Sequence, residues 1–211
     1  MAQIFDVLII LAVALNFVAL AESRIRGVIN AVALQGILLG ALALFVHQGS
    51  DVILLFIATV VLKGRVIPVF LVQAVRAARI QHEVKPVVGI VTSLLLGAVG
   101  TGLAMLFAGT LPLTDEHAHL LLVPASLSTV WTGFLMLTTR RKAIMQVLGF
   151  LLLENGILLF GLLLLEAMPF LVEAGVLLDL FTGVFVMGII IHQINREFAS
   201  ASSEHLAELK E

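Results

Sequence analysis

The 211-residue chain contains no cysteine, no tyrosine and a single tryptophan. Without cysteine it has no disulfide framework, no thiolate ligands for an iron–sulfur cluster and no c-type haem attachment site. Charged residues are also scarce, at 12%, whereas a soluble domain carries about 25%. A net charge of −2 provides no basic surface for nucleic acid. These absences exclude a soluble globular domain, a disulfide scaffold and a nucleic-acid-binding protein.

Long apolar runs fill most of the chain, which is 61% hydrophobic with a mean hydropathy of +1.16. A helix needs about 20 mostly apolar residues to cross a bilayer. Seven segments qualify, and none shows the alternating pattern of a membrane barrel: Ile4–Ala21, Gly27–Val46, Val52–Val75, Pro86–Ala108, Leu120–Thr138, Ala143–Leu165 and Pro169–Ile191. We therefore predict an all-α polytopic membrane protein with seven transmembrane helices. Because Asp6 replaces the positive start of a signal peptide, we expect the first helix to be retained.

The basic residues predict the orientation. Of the 12 lysines and arginines, Lys63 and Arg65 lie within the third segment, and the others all follow odd-numbered segments: Arg24, Arg26, Arg76, Arg79, Lys85, Arg140, Arg141, Lys142, Arg196 and Lys210. Cytoplasmic loops carry the excess of Lys and Arg. We therefore predict a multi-pass protein of the cell (inner) membrane, with the N-terminus outside and a polar cytoplasmic tail at residues 193–211.

Four ionisable residues lie at membrane depth, namely Lys63, Arg65, Glu154 and Asp179. Each charge costs at least ~2.5–3.5 kcal/mol at the bilayer centre, so these groups must be paired, hydrated or neutral. Acids and lysines at matched depth are typical of proton or ion relays. A static ion pair between Lys63 and one of the acids is the alternative. Arg65 is the weaker candidate of the two cations, because it lies closer to the cytoplasmic end.

A break in the third helix is predicted beside these cations. Pro68 has no N–H to donate to the carbonyl of Gly64, and Gly64 itself weakens the helix. Freed carbonyls at membrane depth must be packed or face water. We therefore expect a hydrated helix break from Lys63 to Pro68.

Other polar residues give weaker signals. Asn16, Gln35, Thr59 and Asn155 are expected to form hydrogen bonds between helices or to extend a water wire. Glu173, near the outer end of the seventh segment, is a weaker candidate for the exit side of a proton path.

No catalytic or cofactor motif is evident. Asp115, Glu116, His117 and His119 lie in one loop without a distant fourth ligand, so we do not expect a metal site. Retinal attachment to Lys63 is not expected either, because that lysine lies on the third segment rather than the last.

The last three segments carry a family resemblance. The matching stretches are Gly133–Leu135, Arg140–Lys142, Gln146–Phe150, Leu152–Gly156, Leu171–Gly175 and Leu178–Asp179, together with Thr59–Pro68 in the third segment. They resemble the hydrogenase-4 component E family of formate hydrogenlyase-type [NiFe] hydrogenase complexes. The resemblance covers most of the chain, is strongest over 133–192 and is loosest over the first two segments. It divides the chain into N-terminal helices (1–132), a part similar to complex I subunit K (133–192) and the tail (193–211).

The resemblance implies a role without redox chemistry. In subunit K and the similar C-type antiporter subunits, two acids on successive helices lie on the proton path. By position these fall on Glu154 and on Asp179, which is shorter than the family's glutamate. The chain would then hold no cofactor, and the [NiFe] and iron–sulfur centres would belong to its partners. Those partners would be antiporter-like membrane subunits, a membrane anchor and hydrophilic hydrogenase subunits, in a hetero-oligomer surrounded by lipid.

Two alternatives remain open at this stage. The chain could belong to a multisubunit cation/proton antiporter that never meets a redox enzyme. It could also be a structural spacer of the membrane arm, with its charges locked in ion pairs. The sequence does not distinguish a moving proton from a sodium ion.

Overall fold

The computed structural model describes residues 2–46, 57, 59–77, 87–111, 121–164 and 188. Every secondary-structure element in this part of the chain is helical: α1 (Ala2–Ala21), α2 (Ile25–Val46), a π-helical turn (Leu62–Val66) continuing into α3 (Ile67–Ala77), α4 (Ile90–Ala108), α5 (Leu122–Thr139) and α6 (Ala143–Leu164). Helices α1, α2, α4, α5 and α6 are long and apolar enough to cross a membrane. The predictions of an all-α fold and of a membrane protein are confirmed at this level.

The number of spans and their orientation stay predictions. The π-helical turn and α3 occupy the second half of the third predicted segment. The seventh predicted segment, Pro169–Ile191, lies outside the described residues except for Gly188.

Helices α5 and α6 form a hairpin whose backbones touch. A Cβ added at Gly133 would collide with the backbone of Leu153, and one added at Gly156 would lie 2.6 Å from the backbone nitrogen of Val130. Gly149 faces Gly133 in the same interface. Small residues let transmembrane helices approach this closely. The hairpin therefore has no space between its helices for larger side chains at these positions.

Helix α4 lies at the edge of the bundle. A Cβ at Gly97 would meet the Leu20 side chain of α1, and one at Gly100 would collide with the indole of Trp131 on α5. The Trp131 Nε1–H donates a 3.0 Å hydrogen bond to the Leu96 carbonyl. The opposite side of α4 exposes large apolar side chains, as expected for a surface in contact with hydrocarbon.

Several helix ends meet at one end of the bundle. The Val87 N–H, just before α4, donates to the Thr139 carbonyl at the end of α5 over 3.0 Å. Arg140 Nη2 donates to the Leu20 carbonyl at the end of α1 over 2.8 Å. We call this the basic end, because Arg24, Arg140, Arg141 and Lys142 lie in its described loops and Arg26 lies in the first turn of α2.

Two apolar clusters fill the bundle, one on each side of its middle. The cluster nearer the basic end includes Leu20, Ile29, Leu71, Met136 and Leu148. The other includes Phe5, Ile9, Leu39, Leu122 and Leu159. Along α1, α2, α5 and α6, buried polar residues lie between these two clusters. The fold therefore places a polar layer between two apolar ones.

Candidate functional site

The polar layer comprises side chains from five described elements: Asn16 of α1, Gln35 of α2, Lys63 of the π-helical turn, Thr129 of α5, and Glu154 and Asn155 of α6. Each is at most 5% exposed. Polar groups buried this deeply are costly unless they bond to one another. The layer is therefore the strongest candidate for a functional site in the described part of the chain.

Lys63 and Glu154 form a buried ion pair in this layer. The Lys63 Nζ lies 3.4 Å from Glu154 Oε1, with the two side chains 5% and 3% exposed. The same Nζ donates a shorter bond, 3.0 Å, to Asn155 Oδ1. Two adjacent residues of α6 thus supply Lys63 with one charged and one neutral acceptor.

The backbone around Lys63 is π-helical where the sequence predicts a break. The Ile67 N–H bonds to the Leu62 carbonyl, five residues back, instead of the carbonyl four residues back. Pro68 follows directly and lacks the N–H that would bond to Gly64. Single π turns of this kind occur inside α-helices and are frequent at functional sites. Of the five residues of this π-helical turn, Leu62–Val66, Lys63 is the one that is buried.

Gly36 of α2 makes room for the lysine. A Cβ at this position would lie 2.8 Å from the Cβ of Lys63 and 3.2 Å from its Cδ. Gly64 faces α2 in return, near the Ile37 side chain. These two glycines let α2 and the π-helical turn approach closely, so the lysine stem passes along the α2 backbone toward Glu154.

Amide side chains extend the layer across the bundle. Asn155 Nδ2 donates to Gln35 Oε1 over 3.1 Å, and Gln35 Nε2 donates to Asn16 Oδ1 over 2.8 Å. Asn16 Nδ2 then donates to Thr129 Oγ1 over 2.9 Å. The expectation that Asn16, Gln35 and Asn155 bond between helices agrees with these contacts. They connect α6, α2, α1 and α5 in one hydrogen-bonded chain.

A small cavity lies beside Lys63. Its volume of about 10 Å³ is close to the minimum that holds one water molecule. Its walls include Asn155, Pro68, Leu71 and Ile29, so it extends from the polar layer toward the basic end. Lys63 and Asn155 are the polar residues of this wall, and its other residues are apolar.

Comparison with known proteins finds a relative that matches most of the chain. The chain is 34% identical over 193 residues to the uncharacterized protein Rv0085 of Mycobacterium tuberculosis, a match that covers 89% of this chain and 87% of that protein. The chain belongs to the same family as Rv0085. No family model matches it, and no solved structure matches it significantly.

The structure of this Rv0085 family member places some predicted site residues together and leaves others apart. Lys63 and Glu154 meet, whereas Arg65 is exposed on the outer surface of the π-helical turn. Asp179 and Glu173 lie outside the described residues, as does the loop from Asp115 to His119. In the part that is described, no three His, Cys, Asp or Glu side chains are grouped as a metal site would need.

Arg140 is the largest difference from the sequence-based expectation for this Rv0085 family member. As one of three consecutive basic residues after α5, it is expected in a solvated loop, yet it is only 1% exposed. Desolvation by this burial lowers the pKa of its guanidinium from the ordinary value. Arginine nevertheless remains charged in proteins. Arg140 thus closes the basic end of the bundle against the end of α1.

Two residues of the site give little signal in the sequence. Thr129 lies in a run of small and hydroxyl residues, most of which bond to carbonyls of their own helix. Gly36 is one of 17 glycines and resembles any other small residue of a membrane helix. Their polar neighbours at mid-segment are the one feature that could have singled them out.

Proposed function

We propose that this chain is a non-redox integral membrane subunit of an energy-converting hydrogenase complex, where it contributes to proton translocation and to assembly of the membrane arm. The observation that carries the proposal is the buried Lys63–Glu154 pair at a π-helical break. An acid and a lysine at mid-bundle are costly and are typical of proton pathways. The resemblance to the hydrogenase-4 component E family supports it through Glu154.

The proposed assembly follows from that resemblance. The chain sits in the cell (inner) membrane with seven spans, its N-terminus outside and its C-terminus in the cytoplasm. Antiporter-like subunits and a membrane anchor flank it, and hydrophilic subunits hold the [NiFe] and iron–sulfur centres. Protons enter from the basic end, pass Glu154 beside Lys63 and continue to Asp179 and, more weakly, Glu173.

Glu154→Gln in the intact complex tests this function. We expect proton translocation in inverted vesicles to fall by about tenfold or more, because a positioned acid–base group accelerates proton transfer by at least that factor. Hydrogen formation by the detergent-solubilised complex should persist. Glu22→Gln is the matched control, since Glu22 lies outside the polar layer and bonds to the Arg24 N–H. Unchanged translocation in Glu154→Gln would refute the proposal.

The partners are tested by affinity purification through the C-terminal tail in mild detergent. Co-purification of hydrogenase-like together with antiporter-like subunits supports the proposal. Recovery of antiporter-like subunits alone would instead assign the chain to a cation/proton antiporter. Isolation of the chain by itself would contradict both assignments.

A structural spacer is the second candidate, and the pairing of the two charges favours it. A static pair is replaceable by apolar residues of similar volume, often at little cost. The double variant Lys63→Met/Glu154→Leu should therefore restore full proton translocation if the pair is only structural. If Glu154 carries protons, the double variant folds and assembles but does not translocate them.

A further inference from the structure

The hydrogen bonds of the polar layer all run in one direction. Lys63 donates to Asn155, Asn155 donates to Gln35, Gln35 donates to Asn16, and Asn16 donates to Thr129. Thr129 in turn donates to the Ala125 carbonyl over 2.7 Å. Every amide thus points its oxygen toward Lys63 and its NH2 group away from it.

Two backbone carbonyls fix this direction. A carbonyl only accepts, so the single Thr129 hydroxyl proton is committed to Ala125 and its oxygen must accept from Asn16. The Ala12 carbonyl accepts the second Nε2 hydrogen of Gln35 over 2.9 Å. Turning the Gln35 amide round would place its oxygen against two other oxygens. Both hydrogens of the Gln35 NH2 group are therefore donated, one to the Ala12 carbonyl and one to Asn16 Oδ1, and this fixes the orientation of the amide.

The fixed direction determines what Asn155 offers to Lys63. Because Gln35 Oε1 faces Asn155, the Asn155 NH2 group must donate to it. The Asn155 oxygen is then left for Lys63, and it is polarised by the chain of bonds behind it. An oxygen held in this way, together with the Glu154 carboxylate, favours a positive charge on the Lys63 nitrogen.

We propose that this one-directional chain holds Lys63 as a fixed ammonium group, with Gln35 as the residue that positions Asn155. Lys63 then supplies a constant positive charge. The consequence for proton movement rests on the proposed function: in a proton-translocating complex, the moving proton is exchanged at Glu154 and not at Lys63.

The test reads the charge of Lys63 directly. The full chain, carrying 15N-labelled lysine side chains and purified in lipid with its co-purifying subunits, is measured by solid-state NMR, which separates ammonium from amine nitrogens. Lys63→Met assigns the signal. We expect the wild-type Lys63 signal to be ammonium only. In Gln35→Met, which frees Asn155 to turn, part of this intensity should move to the amine position at the same pH.

A weaker variant and a control, both on α5, sharpen the test. Thr129→Val removes one fixed end but leaves the bond to Ala12, so a smaller transfer of intensity is expected than for Gln35→Met. Thr132→Val is the matched control: Thr132 is similarly buried and also donates to a carbonyl of its own helix, that of Ser128, whereas the Asn16 amide bonds to Thr129. It should leave the Lys63 signal unchanged. Where Gln35→Met does not assemble, Gln35→Asn replaces it, since its amide is too short to reach both neighbours.

The outcomes separate this inference from the proposed function. An amine signal in the wild type, or an unchanged signal in both Gln35 variants, overturns the fixed-ammonium proposal even if Glu154→Gln abolishes proton translocation. The expected NMR series combined with unchanged translocation in Glu154→Gln keeps the fixed ammonium and rejects the proton path.

Discussion

Lys63 and Arg140 are both buried cations, yet their surroundings differ. Lys63 lies in the middle of the bundle, where side chains of α6 provide a carboxylate and an amide oxygen. Arg140 lies at the basic end, and its Nη2 donates to the backbone carbonyl of Leu20. Among the described residues, the Arg140 Nε and Nη1 make no hydrogen bond, although both are buried.

The difference shows how depth in the bundle determines which partners a cation can have. At the end of a helix, the last carbonyls are without helical partners, and the negative end of the helix dipole favours a cation. In mid-helix the carbonyls already accept helical bonds and lie far from the negative end of the dipole, so side chains are the stronger acceptors for a cation. The chain accordingly places polar residues on several helices at the depth of Lys63, and a bare helix end beside Arg140.

Removing the acid partner of Lys63 should have the largest effect on stability. Glu154→Leu leaves a buried ammonium group without its counter-charge, which costs about 3–5 kcal/mol. The free energy of unfolding in mixed detergent micelles measures this loss. The double variant Lys63→Met/Glu154→Leu should recover most of it. No recovery would mean that Glu154 stabilises the fold through packing and not through its charge. That result would contradict the role given to Glu154 as the counter-charge of Lys63.

Gly36→Ala tests the path of the lysine stem. The new methyl group would lie 2.8 Å from the Lys63 Cβ, so α2 and the π-helical turn must separate. Overpacking of this kind costs about 1–3 kcal/mol. Gly102→Ala on α4 is the control, since nothing lies within 4 Å of the added carbon. There we expect a gain of up to about 1 kcal/mol from helix propensity. Equal effects at both positions would contradict the close approach at Gly36.

Arg140→Leu should have the smallest effect of the three. It removes one bond and a favourable helix-dipole interaction, together about 1–2 kcal/mol, and it also removes two buried nitrogens that lack partners. Arg140→Lys keeps the charge and should lose less. Thermal unfolding of the two variants in the same detergent measures the difference. A loss as large as that of Glu154→Leu would contradict the proposed difference between a cation at a helix end and a cation in the middle of the bundle.

The sequence predicts the five long described helices well, because their apolar runs leave few alternatives. It also predicts Lys63 and Glu154 as candidate residues, since a charge in such a run stands out by its cost. The pairing is not predictable in the same way, because the two residues lie 91 positions apart and a static pair with Asp179 fits the sequence equally well. The three-dimensional structure, and not the sequence, identifies Glu154 as a partner of Lys63.

Other features of the site depend on tertiary packing and have no local signal. Three basic residues after a membrane helix indicate a solvated loop, yet Arg140 is buried and bonds to the end of α1, which is distant in sequence. The π-helical turn follows from Pro68, but the direction in which it turns Lys63 depends on Gly36 of another helix. The order of donors and acceptors in the amide chain requires the positions of two backbone carbonyls, which no residue pattern provides.

Trp131 gives this protein an intrinsic optical reporter. It is the single tryptophan in a chain without tyrosine, so its emission needs no removal of other strong fluorophores. Its indole fills the space beside Gly100 and bonds to the Leu96 carbonyl, both on α4. The fluorescence of the unmodified chain therefore reports on one helix contact, between α4 and α5. Separation of these helices during detergent transfer or subunit exchange is thereby observable without a label.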